Sequence, residues 1–420
     1  MMVDTTVATT ASGSVQRDRS ARNTLVIVVF TAITNLADGV TKVALPLMAT
    51  RLTHSPLAIS AVSLTLTLPW LLAALHVGVL VDRFDRRMLL WLANVMRVLA
   101  VGGLLVAVAE RATTLPVLYV GGLVLGVAEV VALTSAAAIV PSAVGPKGLE
   151  RANALVAGAE TVCNEFCGPF VGGLLVAIGA GVALGTTAVG YLVAIVVLGL
   201  LAGRFRARAG GERPTATVHQ QIVEGLHYLL RQRMLRLMAL VLTVLCGCWG
   251  AWLAIMPLVA TSLMHLDAHG YGILLSALGV GGLVGALTVS TVNRLLGRRW
   301  AMFADLIGTL AMVATPALVT NIWAVAVAAF LGGLGGTLWT VNSRTISQRL
   351  VETEMMGRYS AAAKLFSWGA MPLGAAVVGV LAELVGPRAA LLVFAVATAA
   401  LIVPFLRTFT SGVLTGVPRD

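Results

Sequence analysis

Charge is what this 420-residue chain has least of: Asp, Glu, Lys and Arg make up 11% of it, against 58% hydrophobic residues. Soluble domains are about a quarter charged, so water is excluded as the solvent for most of this surface, and the mean hydropathy of +0.94 points to a bilayer. Cysteine is scarce as well. Cys163, Cys167, Cys246 and Cys248 all fall in apolar stretches, and neither pair has a histidine or further cysteine close by in its own segment. Buried inert thiols are expected, with no metal and no cofactor. Two-residue alternation is missing, which excludes a membrane β-barrel. A nucleotide loop, a soluble catalytic domain and a nucleophile–base pair are missing too, and His76, His219 and His227 are scattered. These absences leave a membrane sensor or enzyme only as a rival class.

Long apolar runs are plentiful. Each crossing needs ~20 residues, and the runs predict twelve spans near 25–48, 57–81, 88–109, 115–140, 153–178, 183–203, 234–262, 270–293, 300–318, 322–345, 361–385 and 388–406. The fold expected is an all-α membrane protein of two pseudo-symmetric six-helix bundles. Its parts are a cytoplasmic tail at 1–22, a first bundle at 23–203, a linker at 204–233, a second bundle at 234–406 and a second tail at 407–420. The polar start, with Arg17, Arg19 and Arg22, has no small-residue cleavage site and is expected to be a tail rather than a signal peptide. In the linker, Ile222, Val223, Leu226, Leu229 and Leu230 recur at helical spacing, as in an amphipathic helix on the inner membrane surface.

The net charge of +11 is distributed by topology. With the N-terminus inside, all but five of the 29 Lys and Arg residues fall in or beside cytoplasmic segments; the exceptions are Arg51, Arg111, Arg388, Lys42 and Arg97. This is the positive-inside pattern. It places the chain in the cytoplasmic membrane with both termini inside and accounts for the basic charge without a nucleic-acid partner.

The chain repeats itself at an offset of 211 residues. Gly39, Pro46, Leu52 and His54 match Gly250, Pro257, Leu263 and His265, and Asp82-Arg83 meets Asn293-Arg294. Two parallel halves about an axis along the membrane normal form a known transporter plan, with the site between them.

Between the second and third spans runs Gly78-Val-Leu-Val-Asp82-Arg83-Phe-Asp85-Arg86-Arg87. It resembles the G-x-x-x-D-R-x-G-R-[RK] signature of the major facilitator superfamily, with Asp85 in place of the second glycine. Gly78, Asp82, Arg83, Arg86 and Arg87 are expected to form a breakable cytoplasmic latch, the alternative being ordinary positive-inside charge. Gly168-Pro169-Phe-Val-Gly172-Gly173 resembles the end of the superfamily's antiporter motif, though Asn164 stands where an upstream glycine belongs; packing or kinking alone is the alternative. With Asn35-Leu-Ala-Asp38-Gly39 and Glu150-Arg151-Ala-Asn153, it is similar to the drug–proton antiporter branch that includes the enterobactin exporter and macrolide-efflux proteins.

Ionisable groups at bilayer depth are functional candidates. Asp38 and Glu165 fall ~18–20 Å from the inner face, Arg97 and Glu129 ~13–15 Å, and Glu160 slightly shallower. Asp38, Glu129, Glu160 and Glu165 are the candidate proton-coupling residues, and Arg97 with Glu129 a candidate structural ion pair. Lys42, one turn beyond Asp38, either snorkels outward or pairs with Asp38. The resemblance implies a cavity lined by spans one, four, seven and ten, with two, five, eight and eleven beside them. Asn35, Trp249, Trp252, Trp339, Asn342 and Trp368 are then the candidate substrate contacts, with lipid-facing placement the alternative for each tryptophan. The function expected is proton-coupled efflux of a moderately apolar small molecule by a monomer in the lipid bilayer. An uptake permease or lipid transporter on the same fold is the alternative.

Overall fold

The computed structural model describes all residues except 1–3, 74–75, 78–79, 82–83, 145–147, 203–217, 353–354, 368 and 410–420. Among the described residues every regular element is helical. In chain order these are α1 (Asp4–Leu52), α2 (Pro56–Leu72), α3 (Arg86–Ala109), α4 (Leu115–Val144), α5 (Arg151–Ile178), α6 (Ala180–Gly199) and α7 (Val218–Arg231). They continue as α8 (Arg233–Leu263), α9 (Ala268–Leu295), α10 (Gly297–Leu318), α11 (Ile322–Leu350), α12 (Met356–Ser367), α13 (Ala370–Val385) and α14 (Pro387–Thr408).

Among the described residues eleven helical stretches are long and apolar enough to cross a membrane, and the apolar α2 is shorter. This is a multi-pass membrane protein. One boundary differs from the sequence reading: the polar stretch ahead of the first span is continuous with it, so α1 starts at Asp4. The second predicted span is a regular helix over Pro56–Leu72, and the described residues 76–77 and 80–81 beyond it are helical too. Within the eleventh, Leu365–Val385 is long and apolar enough to cross a membrane.

The two halves repeat one pattern of neighbours. In the first, α1 packs on α5 and α6, α2 on α4, and α3 on α4 and α6; in the second, α8 packs on α13 and α14, α9 on α11, and α10 on α11 and α14. The repeated glycines explain part of this. A Cβ on Gly39 would lie 2.8 Å from Gly168 Cα on α5, and one on Gly250 would collide with the Met371 backbone on α13. Small residues let helix backbones meet where lipid offers no hydrophobic drive to associate.

The halves meet near the end at which α1 finishes, called here the far end; α1 begins at the near end. Gly173 of α5 crosses Gly272 of α9 so closely that a Cβ on Gly173 would lie 2.7 Å from its Cα. On the other side α2 packs against α13. There Glu383 Oε2 accepts from Ser55 Oγ at 2.8 Å and from Leu57 N at 3.2 Å. The carboxylate thus sits at the α2 N-terminus, where unpaired N–H groups favour negative charge.

Helix α7 forms where the linker periodicity places it, but α12 covers part of its apolar side. Leu229 is buried in one cluster with Tyr359 and Ala362, and Arg358 pairs with Glu224 at 2.8 Å.

Candidate functional site

Five helices of the first half bring their polar groups together. Asp38 of α1 and Arg97 of α3 are both buried, and Arg97 Nη2 donates to Asp38 Oδ2 at 2.6 Å. The Tyr191 hydroxyl of α6 donates to Asp38 Oδ1 at 2.7 Å. The guanidinium also lies 5.3 Å from the Tyr191 ring centroid, a cation–π distance. Each carboxylate oxygen therefore has a donor, as buried charge requires.

One turn along α1, Lys42 Nζ donates to Glu129 Oε1 of α4 at 3.0 Å and to Asn164 Oδ1 of α5 at 3.1 Å. Asn164 Nδ2 donates to Asn35 Oδ1 at 2.9 Å, and Asn35 Nδ2 donates to the Thr31 carbonyl at 2.9 Å. Asn164 reaches these partners from the π-helical turn Thr161–Cys167, which precedes Gly168-Pro169. Such turns re-aim side chains and recur at functional sites.

This arrangement corrects two pairings. Arg97 bonds Asp38 rather than Glu129, and Lys42 bonds Glu129 rather than snorkelling or pairing with Asp38. The reason is angular. At 100° per residue, four residues leave ~40° between the two α1 side chains. That difference sends Asp38 toward α3 and α6 and Lys42 toward α4 and α5.

Glu160 is half-buried and lines a recess of about water size with Phe30, Thr31, Thr34, Asn35, Arg97, Ala132, Leu133 and Ala136. The Glu165 side chain and Trp368 lie outside the described residues, as do Gly78, Asp82 and Arg83 of the expected latch. Of the rest of that motif, Asp85 caps α3 by accepting from Arg87 N and Met88 N. Arg86 Nη1 donates to the Ala138 carbonyl at 2.8 Å and Arg87 Nη2 to the Gly199 carbonyl at 3.0 Å. Both arginines thus tie α3 to helices of its own half. In the antiporter-type motif, Gly168, Pro169, Gly172 and Gly173 are all buried, and its glycines set the contacts of α5 with α1 and α9.

The expected aromatic wall is mostly absent. Trp252 is fully buried in the core between the halves. Trp339 is buried against Phe405 and Phe409, at 6.3 and 6.4 Å between ring centroids. Asn342 is also buried and bonds back to Leu338 of its own helix. Trp249 alone of these three tryptophans keeps partial exposure, beside Gly336 of α11. Tyr191 and Asn164 were missed by the sequence reading. A tyrosine in the middle of an apolar span was the available signal, because a buried hydroxyl needs a partner.

The sequence model of the transmembrane secretion effector family matches residues 21–411. The multidrug efflux pump Tap of Mycolicibacterium fortuitum is 27% identical over 388 residues, covering 88% of this chain and 92% of that protein. Tap of Mycobacterium tuberculosis strain H37Rv is 27% identical over 377 residues, covering 85% and 86%. Among solved structures, the nucleoside transporter NupG superposes with a TM-score of 0.72 at 12% identity, covering 93% of this chain and 99% of that one. A bacterial homologue of the lysosomal transporter Spinster, in an inward-facing and unoccupied conformation, gives 0.68 at 14% identity, covering 93% and 98%. The chain is therefore a major facilitator transporter, not an enzyme, and belongs to the transmembrane secretion effector family.

Proposed function

We propose that this protein exports small molecules across the cytoplasmic membrane by alternating access, driven by proton entry, with twelve spans in two six-helix bundles. The observation that carries the reading is the buried Asp38–Arg97–Tyr191 cluster, a carboxylate held on three helices of one half. Protonating Asp38 removes the negative charge that compensates Arg97, so the relative energies of the two access states change. With the near end cytoplasmic, as the basic residues favour, the far-end contacts of Glu383 and Gly173 seal the outside and this state opens inward. Asp38 then takes its proton when the seal opens and releases it to the cytoplasm. Efflux direction draws support from the similarity to the Tap pumps.

The test uses inverted vesicles holding the overexpressed chain, with their interior acidified. Dye accumulation that a protonophore abolishes, and that vesicles without the protein lack, is the expected result. Accumulation indifferent to the protonophore removes proton drive; accumulation only in right-side-out vesicles makes the protein an importer.

A further inference from the structure

The repeat aligns two near-end turns that have diverged in charge. Asp82-Arg83-Phe84-Asp85-Arg86-Arg87 of the first half matches Asn293-Arg294-Leu295-Leu296-Gly297-Arg298 of the second, and both acids are gone from the second. Asp85 caps α3 with its carboxylate, whereas Leu296, in the same place, leaves the α10 N-terminus without a side-chain cap. From residue 268 to 304 the chain holds no Asp or Glu, and α14 holds none either. Elsewhere at the near end an arginine finds a protein acid, as Arg358 finds Glu224. Arg294, Arg298 and Arg299 on this turn and Arg407 on α14 have no ion-pair partner among the described residues. Arg299 joins the two helices, its Nη2 donating to the Leu406 carbonyl at 2.9 Å, which brings the backbone of Arg407 to the same corner.

The outside of that corner is apolar. Leu295 is 75%, Leu296 59% and Trp300 47% exposed, and Trp300 shares an outward stripe of α10 with Ile307. On a membrane-spanning helix such a stripe meets lipid, and a tryptophan at its end marks the headgroup level. The Arg299 guanidinium lies 5.4 Å from the Trp300 ring centroid, and that ring meets Phe303 edge-on at 5.4 Å. Arg299 is therefore fixed at headgroup level by the ring on one side and the Leu406 carbonyl on the other. Its Nε is buried without a hydrogen-bond partner among the described residues.

We propose that the α9–α10 turn and the end of α14 bind an anionic phospholipid. Its phosphate is held by Arg298 and Arg299, and its acyl chains lie along Leu296, Trp300 and Ile307. Arg294 and Arg407 add attraction from the rim. Free phosphate gains nothing from the apolar stripe, and a zwitterionic lipid brings a cation that the arginines repel.

Native mass spectrometry of the full chain in detergent micelles tests this, with phosphatidylglycerol, phosphatidylcholine and inorganic phosphate as probes. The wild type prefers phosphatidylglycerol to phosphatidylcholine by about tenfold or more, since each arginine near an anionic surface contributes about fivefold. Arg298→Gln/Arg299→Gln loses the preference. Arg231→Gln/Arg233→Gln removes the same charge at the α7–α8 junction and keeps it. Should the first variant fail to fold, Arg294→Gln reads the same site from an exposed residue and lowers the preference about fivefold. Equal binding of the two lipids, or a preference that survives Arg298→Gln/Arg299→Gln or Arg294→Gln, overturns the proposal. An equal loss in Arg231→Gln/Arg233→Gln would show diffuse charge instead of a site, and displacement of the lipid by inorganic phosphate would show a free-phosphate site; either overturns it too.

Discussion

Removing Asp38 and removing Arg97 are not equivalent perturbations, and the difference tests the buried pair directly. Asp38→Asn leaves a guanidinium that cannot shed its charge, enclosed at 1% side-chain exposure. Breaking a buried pair from one side costs about 3–5 kcal/mol, and Asp38→Asn falls in that range. Arg97→Met leaves a carboxyl group that is able to neutralise itself by binding a proton and still accepts from Tyr191, so its cost is smaller. The double variant Asp38→Asn/Arg97→Met holds no net buried charge and recovers part of the loss. The coupling expected is about 1–3 kcal/mol, the range for contacting residues. Reversible unfolding in mixed detergent micelles, with all four proteins in one lipid–detergent ratio, supplies the cycle. Additive costs, or Arg97→Met more damaging than Asp38→Asn, would refute the pairing and the argument from it.

Three further outcomes follow from the contacts. Glu383→Gln weakens the far-end seal, so a cysteine at Ala49, a buried position, in a background lacking the four native cysteines gains thiol labelling several-fold; unchanged labelling would show that Glu383 holds nothing shut. Gly39→Val overpacks the crossing with Gly168 and destabilises the protein by about 1–3 kcal/mol, read in the same unfolding assay, whereas a neutral result would mean that α1 and α5 do not approach as described. Trp339→Ala lowers stability by about 3–5 kcal/mol through lost packing and leaves cargo affinity intact, while Trp249→Ala weakens affinity several-fold with little loss of stability; the reverse pattern would return Trp339 to the cavity wall.

Which helices carry the polar groups was legible in the sequence; which groups meet was not. Counting rise per residue put Asp38 at mid-membrane and grouped Arg97 with Glu129. Shared depth does not make a contact, however, and the ~40° between Asp38 and Lys42 decided the partners. The 211-residue repeat was readable because backbone contact admits only glycine at Gly39 and Gly250. Asn164 could not be placed from the pattern, since a π-helical turn shifts every later side chain of α5 relative to regular helical spacing. The tryptophans misled for a related reason: an indole on a cavity-forming helix packs equally well against a neighbour in its own half, as Trp339 does against Phe405 and Phe409. Glu383 lies at a helix end where an exposed acid looks solvated, and only the fold brings it to Ser55, 328 residues away in sequence.

The measurement that bears most directly on proton-driven export compares exchange with gradient-driven transport in proteoliposomes, for the wild type and Asp38→Asn at matched folded amounts. Labelled cargo exchanging across the membrane without a pH gradient needs binding and alternating access but no proton coupling. The account predicts that Asp38→Asn keeps measurable exchange and loses gradient-driven accumulation. Gradient-driven accumulation at the wild-type level in Asp38→Asn would contradict it.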